Sequence, residues 1–103
     1  MLNTDGASKE NPGKARGGGV LRGYKGKWIY GFGESMGTCT AMEAESKAVL
    51  RGLRIAKNLD IKRLWVQVDS STLVGLLKGD SKLCAEHAFI LRQCKDLIYH
   101  EGW

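Results

Sequence analysis

Residues 40–69, TAMEAESKAVLRGLRIAKNLDIKRLWVQVD, decide the fold of this chain. Over residues 40–58 the apolar side chains recur at helical spacing, and Thr40 with Glu43 three positions later has the spacing of an N-terminal capping box. Residues 63–69 then alternate between apolar and other side chains, as a strand does. A strand that follows a helix in this way normally lies parallel to a strand that precedes the helix, through a right-handed crossover.

The segments on either side of this unit complete the predicted fold. Before it, glycine-rich turns separate three predicted strands, at Leu2–Asp5, Gly18–Arg22 and Lys27–Gly33, with a hairpin turn over Gly23–Gly26. After it, the pattern predicts a helix over Ser71–Lys78, ended by Gly79, and another over Ala85–Tyr99. The predicted fold class is therefore α/β, with a mixed sheet of three antiparallel strands and a parallel fourth, and with helices that pack on it.

Size and composition restrict the class of protein. A chain of 103 residues is expected to form one domain over residues 1–103, and 43% apolar residues exclude wholesale disorder. No apolar run approaches the roughly 20 residues that a membrane helix needs, and no secretory leader is visible. Three cysteines without tight pairing argue against a secreted disulfide scaffold. We expect an intracellular protein, in the nucleus or the cytoplasm, with no membrane association.

The net charge of +5 is concentrated in two stretches, Lys9–Lys27 and Lys47–Arg63. Each contains six basic residues and one acid. Such clusters suit a polyanion such as nucleic acid, whose phosphates supply most of the non-specific affinity. A solvated surface is the alternative interpretation, and the charge alone does not separate the two.

Two aspartates are placed where strands are predicted to end. Asp5 precedes Gly6, and Asp69 precedes two serines. If the two strands are parallel neighbours, both side chains lie at the carboxyl edge of the sheet, where ligands of α/β proteins commonly bind. For either aspartate alone, a turn or a helix N-cap remains the simpler interpretation.

Glu45 favours a ligand site over these simpler interpretations. It shares its helix face with a small and apolar stripe, which consists of Ala41, Ala48, Val49 and Gly52. An inward carboxylate without a partner is costly, and a metal ion or a pair of ions would offset the cost. Hard cations such as Mg²⁺ prefer carboxylate oxygens, and two of them about 3.5–4 Å apart can clamp a scissile phosphate. The neighbouring Glu43, by contrast, is typical of a surface salt-bridge residue.

Together these motifs resemble ribonuclease H domains, over essentially the whole chain and in the same order. The matching segments are TDGAS at residues 4–8, NPG at 11–13, GGGVLR at 17–22, Glu43-Ala44-Glu45 with Ala48 and Gly52-Leu53 after it, and Val68-Asp69-Ser70. They are most similar to the plant ribonuclease H-like domains of non-LTR retroelements. Each motif alone would be weak, but the set is specific.

The resemblance implies cleavage of the RNA strand of RNA–DNA hybrids, with Mg²⁺ or Mn²⁺ held by four acids. Asp5, Glu45 and Asp69 match the first three of these catalytic, metal-binding positions, with Asp5 bridging the two metals. The family's fourth acid follows a fifth strand, at the start of a final helix. The chain ends about where that strand should begin, so we expect a domain truncated at its C-terminus.

The expected partner is therefore an RNA–DNA hybrid. The residues that we expect to contact its strands are Asn11, Lys14, Arg16, Lys47 and Ser71.

Departures from the family pattern keep two other hypotheses open. Ser46 stands where the family usually has Leu, and Ala41 and Met42 stand where some relatives have hybrid-contacting Asn. The chain could therefore be a module that binds nucleic acid without turnover. It could also be an interaction domain whose unfinished sheet edge pairs with another copy or a partner.

A zinc site is the remaining interpretation of the cysteines and histidines. Cys84 with His87, and Cys94 with His100, have spacings that fit no common zinc finger. Cys94 also belongs to the apolar stripe of its predicted helix, which favours a place in the core.

Overall fold

The computed structural model describes residues 1–10, 13–68, 71–78 and 88–103. Its strands are β1 (Leu2–Ser8), β2 (Gly13–Arg22), β3 (Trp28–Cys39) and β4 (Val66–Val68), and its helices are α1 (Ala41–Asn58), α2 (Ser71–Lys78) and α3 (Ala88–Glu101). The sheet has the order β3-β2-β1-β4. β1 pairs antiparallel with β2 and parallel with β4, and β2 pairs antiparallel with β3. The predicted mixed sheet is therefore confirmed.

Helix α1 is fixed at both ends by local hydrogen bonds. The Thr40 side chain accepts a hydrogen bond of 3.1 Å from the backbone N–H of Glu43, as the capping spacing predicts. At the other end, the backbone N–H of Leu59 donates to the carbonyl of Ile55 at 3.0 Å, and Asp60 then takes a positive φ of 59°. The helix therefore begins and ends where its sequence signals indicate.

The core lies between the sheet and the three helices. Its fully buried side chains are mostly aliphatic and come from the sheet and from each helix: Leu2, Val49, Leu53, Leu73, Leu91 and Cys94. Small residues of α1, Ala44 and Ala48, are wholly buried against β1 and β2 and let the helix backbone approach the sheet. The indole Nε1 of Trp103 donates to the carbonyl of Ile61 at 3.1 Å, which ties the end of α3 to the loop after α1. In the described ranges, every helix falls short of the length and apolar character that crossing a membrane requires.

Two strands are longer than the sequence predicts, because a glycine ends neither of them. β1 continues through Gly6 to Ser8, so the prediction that Asp5 ends the first strand is wrong. β3 continues beyond Gly33 to Cys39. In a strand, a glycine often marks a close approach of another backbone rather than an end, and Gly6 is such a case.

Other boundaries differ by less. β2 begins at Gly13 rather than Gly18, and the predicted hairpin turn is a short 3₁₀ turn, Tyr24–Gly26, in which Lys25 has a positive φ of 63°. β4 is a three-residue strand. Helix α2 has the predicted bounds, whereas Gly79, the first three residues of the helix predicted over 85–99, and Cys84 and His87 lie outside the described residues.

Candidate active site

Asp5 lies in the middle of β1, on the face of the sheet opposite α1. Side chains alternate along this strand, so that Leu2, Thr4 and Gly6 are buried and Asn3 and Asp5 are exposed. The carboxylate of Asp5 is therefore open to solvent. A position of this kind gives a carboxylate free access to an ion or a phosphate.

Gly6 brings β1 into direct contact with the backbone of α1. A Cβ atom at position 6 would lie 2.5 Å from the backbone nitrogen of Glu45, 2.6 Å from the carbonyl carbon of Ala44 and 2.7 Å from the Cα of Glu45. Only glycine allows this approach, because such distances are shorter than any van der Waals contact. The residue next to Asp5 therefore touches Glu45, and two of the three predicted acids belong to neighbouring backbone segments.

Glu45 itself is half-buried in the second turn of α1. The next positions of its stripe along the helix, Ala48, Val49 and Gly52, are buried, as the helical periodicity predicts. Glu45 also takes part in a polar or electrostatic contact. The burial of Glu45 therefore does not by itself require a metal ion.

The register of β4 places the end of this strand beside the middle of β1. Thr4 pairs with Val68 in the parallel ladder. Asp69 follows Val68 in the chain and lies outside the described residues. Among the residues that the structure describes, no group of three potential metal ligands converges.

A depression of about 380 Å³ opens beside Asp5 on this face of the sheet. Its walls include Asn3, Gly18 and Gln67, and Asn3 and Gln67 are paired across β1 and β4. Sequence reasoning missed both polar residues. The signal that could have found them is the alternation along β1 and β4, which places Asn3 and Gln67 on the same face as Asp5.

Two of the predicted nucleic-acid contacts share this face. Arg16 pairs with Ala7, and the next residue of β2 on the same face, Gly18, pairs with Asp5. Lys14 and Arg16 are both exposed and alternate with the buried Ala15. Arg16 is therefore a diagonal neighbour of Asp5, close enough for one phosphate group to contact both regions.

Lys47 lies elsewhere. Its Nζ donates a hydrogen bond of 3.0 Å to the carbonyl of Met36, and it lines a hollow of about 330 Å³ between β3 and α1 together with Glu34 and Arg51. None of the residues that line this hollow belongs to the depression beside Asp5. Asn11 lies outside the described residues, as does the side chain of Ser71.

Comparison with known proteins identifies the relatives of this chain. A family model described as reverse transcriptase-like matches residues 3–101. Over 97 residues the chain is 42% identical to a protein of Arabidopsis thaliana that is provisionally named as a ribonuclease H protein. The match covers 94% of this chain and 16% of that protein, so the chain spans about a sixth of this relative's length.

Solved structures share the fold. Ribonuclease H1 from the halophilic archaeon Halobacterium salinarum NRC-1 is 26% identical with a TM-score of 0.81, and the match covers 97% of this chain and 74% of that one. LC11-RNase H1, isolated from compost by a metagenomic approach, was solved in complex with an RNA/DNA hybrid. It is 23% identical with a TM-score of 0.85, over 96% of this chain and 75% of that one, a likeness that shows the fold alone.

Proposed function

This chain belongs to the reverse transcriptase-like family and is a ribonuclease H-like domain, and we therefore propose that it hydrolyses the RNA strand of RNA–DNA hybrids. The observation that carries the proposal is the contact of Gly6 with the Glu45 backbone, which places Asp5 and Glu45 on adjoining segments. The RNA/DNA hybrid bound to LC11-RNase H1 is a ligand of the same chemical class. The similarity to an Arabidopsis protein supports a plant source for the chain, and the reverse transcriptase-like family model supports a retroelement.

We assign the metal-binding role to Asp5, Glu45 and Asp69. Their donor atoms are all carboxylate oxygens, the ligands that Mg²⁺ and Mn²⁺ prefer. Asp5 is exposed on its strand and Glu45 is half-buried on its helix, so both side chains have access to solvent. The bound ions would supply an activated water molecule and stabilisation of the leaving oxygen.

The remaining residues of this face would hold the substrate. Arg16 and Lys14 carry exposed positive charges on the face of Asp5, where they would bind the phosphates that flank the cleaved bond. Asn3 and Gln67 offer amide groups beside Asp5, and amides can both donate to and accept from the sugar hydroxyls. Asn11 and Ser71 stay proposed contacts, whereas the position of Lys47 favours a different role.

The test is cleavage of an end-labelled RNA–DNA hybrid in Mg²⁺ and in Mn²⁺, with three proteins in parallel. Asp5→Asn removes a proposed ligand, and we expect a loss of about 100-fold or more, since even groups that only support a ligand cost 10–100-fold. Asp60→Asn is the matched control, because Asp60 is an exposed aspartate just after α1 that lines neither the depression beside Asp5 nor the groove between α1 and α3. We expect this control to cleave at the parent rate.

Each outcome separates the hypotheses. Cleavage that Asp5→Asn abolishes and Asp60→Asn preserves supports the nuclease and its site. Binding of the hybrid without cleavage by the parent chain favours the module that binds without turnover. Equal cleavage by all three proteins contradicts the assignment of Asp5.

We also propose that the outer edge of β4 can pair with another chain. In the sheet formed by the described strands, β4 is an edge strand that pairs with β1 on its inner side. Unpaired backbone groups at such an edge favour strand addition. Sedimentation velocity over an about hundredfold range of concentration tests this, and a monomer throughout contradicts self-pairing.

A further inference from the structure

We infer that α1 carries a second nucleic-acid contact surface, on the side turned away from the sheet, where Arg54 and Lys57 bind the phosphate backbone of a strand. This surface goes beyond the proposed hydrolysis and does not depend on it. We call it the α1 ridge and define it by Lys47, Arg51, Arg54 and Lys57.

The sequence of α1 concentrates positive charge along this ridge. Four basic residues occur between positions 47 and 57, and no acidic residue occurs between Ser46 and Leu59. The helical period of 3.6 residues places the four within about one third of the helix circumference. From first to last they extend about 15 Å along the helix axis, and a nucleic acid strand presents one phosphate per about 3.4 Å of its own axis. The ridge is therefore long enough to face about four phosphates.

Two of the four cations are already engaged by the protein. Arg51 forms an ion pair with Glu34, 3.3 Å between Nε and Oε1, and both side chains are about half exposed. Lys47 donates to the carbonyl of Met36. These contacts hold the two side chains along the wall of β3.

The side chains of the other two cations are free to bind an external anion. Arg54 and Lys57 are exposed, and neither side chain forms an ion pair or a hydrogen bond with any residue in the described ranges. An unpaired cation at the surface is simply hydrated. When it binds a phosphate, the nucleic acid releases a condensed counterion, and this release raises the affinity of the complex. They are therefore the two positions at which a strand would gain most from the ridge.

The surface around Arg54 is shaped as a groove. A cavity of about 420 Å³ lies between α1 and α3, with Arg54, Lys57 and Asn58 on one wall and Gln93 and Asp96 on the other. Leu50 and Arg54 also line the hollow between α1 and β3, so Arg54 stands between two concave regions.

The chemistry of the groove fits a sugar–phosphate chain. The two cations offset the single carboxylate of Asp96 and leave the groove net positive. The amides of Asn58 and Gln93 can donate to phosphate oxygens, and the carboxylate can accept from sugar hydroxyls. A floor at Leu50, which is 7% exposed, gives the sugar or base an apolar contact.

The ridge is separate from the candidate active site. The groove shares none of its lining residues with the depression beside Asp5. The depression lies on the open face of the sheet, whereas α1 packs on the other face. A strand bound on the ridge would therefore tether nucleic acid to the protein without occupying the cleavage site.

Binding in EDTA tests the proposal independently of hydrolysis. The affinity of a fluorescent 24-base-pair RNA–DNA hybrid is measured at several salt concentrations for the parent chain, for Arg54→Gln/Lys57→Gln, and for Lys25→Gln/Lys27→Gln. The control removes the same two charges from the turn between β2 and β3, where Lys25 lies over the Tyr24 ring. Glutamine has a helix propensity close to that of arginine and lysine, so the ridge variant is expected to fold.

We expect the slope of log K against log salt to fall by about 1.8 in the ridge variant, since each phosphate contact contributes about 0.9, and to change much less in the control. Amide chemical shifts of the parent chain provide the second measurement. On addition of a short single-stranded DNA, we expect shifts at Arg54, Lys57, Asn58 and Gln93.

Three results would overturn the proposal. These are an unchanged slope in the ridge variant, an equal loss of slope in both variants, and chemical shift changes confined to the face of Asp5. None of them bears on hydrolysis. A chain that binds along the ridge but never cleaves contradicts the proposed function alone, and a chain that cleaves with an inert ridge contradicts this inference alone.

Discussion

The contact between Gly6 and α1 makes one substitution unusually informative. In Gly6→Ala, the new methyl group would meet three backbone atoms of α1 at 2.5, 2.6 and 2.7 Å. Carbon atoms in contact prefer separations of about 3.5–4.0 Å. The first turns of α1 must therefore move by about 1 Å, and the backbone offers no rotamer that could relieve the overlap.

The magnitude follows from the kind of atom that is displaced. Overpacking against side chains lowers the free energy of unfolding by about 1–3 kcal/mol. Because the atoms displaced here belong to a rigid helix backbone, we expect a loss at the upper end, about 3 kcal/mol. With a denaturant dependence of about 1.5 kcal/mol per molar urea, the unfolding midpoint would fall by about 2 M. The same movement carries Glu45 away from Asp5, so we expect hybrid cleavage to fall even under conditions in which the variant is folded.

Gly33→Ala is the matched control. It lies in the same sheet, and a Cβ there would have nothing within 4 Å. A glycine replaced by alanine at a compatible position gains about 0.4–1 kcal/mol through the unfolded state. Urea unfolding followed by tryptophan fluorescence compares the three proteins. If Gly6→Ala unfolds within about 0.5 kcal/mol of the parent and cleaves at the parent rate, the close approach that we describe is wrong.

Three further predictions concern stability. Thr40→Ala removes the side-chain cap of α1 and should cost about 1 kcal/mol in urea unfolding, whereas Thr38→Ala, at an exposed site on β3, should cost much less. Ser46→Ala should stabilise by about 0.5 kcal/mol, because the buried hydroxyl only donates back to the carbonyl of Met42 at 2.8 Å and alanine has the higher helix propensity. Burial raises the pKa of the Cys94 thiol from 9.0 to about 12. The thiol of the unfolded chain therefore loses its proton at lower pH than the thiol of the folded chain, and the free energy of unfolding falls between pH 9 and pH 12 by an amount of order 1 kcal/mol per pH unit. Cys94→Ala should have a flatter profile of stability against pH in that window.

Each of these has a result that would contradict it. Equal losses at Thr40 and Thr38 would mean that the cap contributes nothing specific. A loss of more than about 1 kcal/mol in Ser46→Ala would show that the hydroxyl stabilises the core. Parallel pH profiles for the parent and Cys94→Ala would show that the thiol is accessible to water, and rapid labelling by a thiol reagent at neutral pH would agree with that result.

The helix was predictable because its signals are local. Thr40, Glu43 and the spacing of the alanines lie within a few residues of one another, and the structure uses them as the pattern indicates. The position of Glu45 on the inner stripe also followed from periodicity alone. What periodicity could not show is that Gly6 lies against the backbone of Glu45, since that contact joins residues about forty positions apart.

The errors have the same origin. Gly6 and Gly33 look like the ends of strands when each is compared with its neighbours in sequence, but the sheet continues through both of them. Lys47 was predicted only as a nucleic-acid contact, and sequence position does not reveal that its ammonium group donates to the carbonyl of Met36 across 11 positions. Tertiary contacts decide these cases, and a single sequence carries no direct record of them.

The central place of β1 has a consequence for the order in which the chain can assemble. β1 forms a hairpin with β2, in which Ser8 pairs with Ala15, but its parallel partner arrives much later, since Leu2 pairs with Val66. Closing the second loop, roughly nine times longer, costs about 2 kcal/mol more in chain entropy. During synthesis the first three strands leave the ribosome before β4 exists, so the side of β1 that receives β4 stays open while α1 is being made. Strand β1, which carries Asp5, is therefore among the first parts of the fold to be synthesised and among the last to gain all its neighbours.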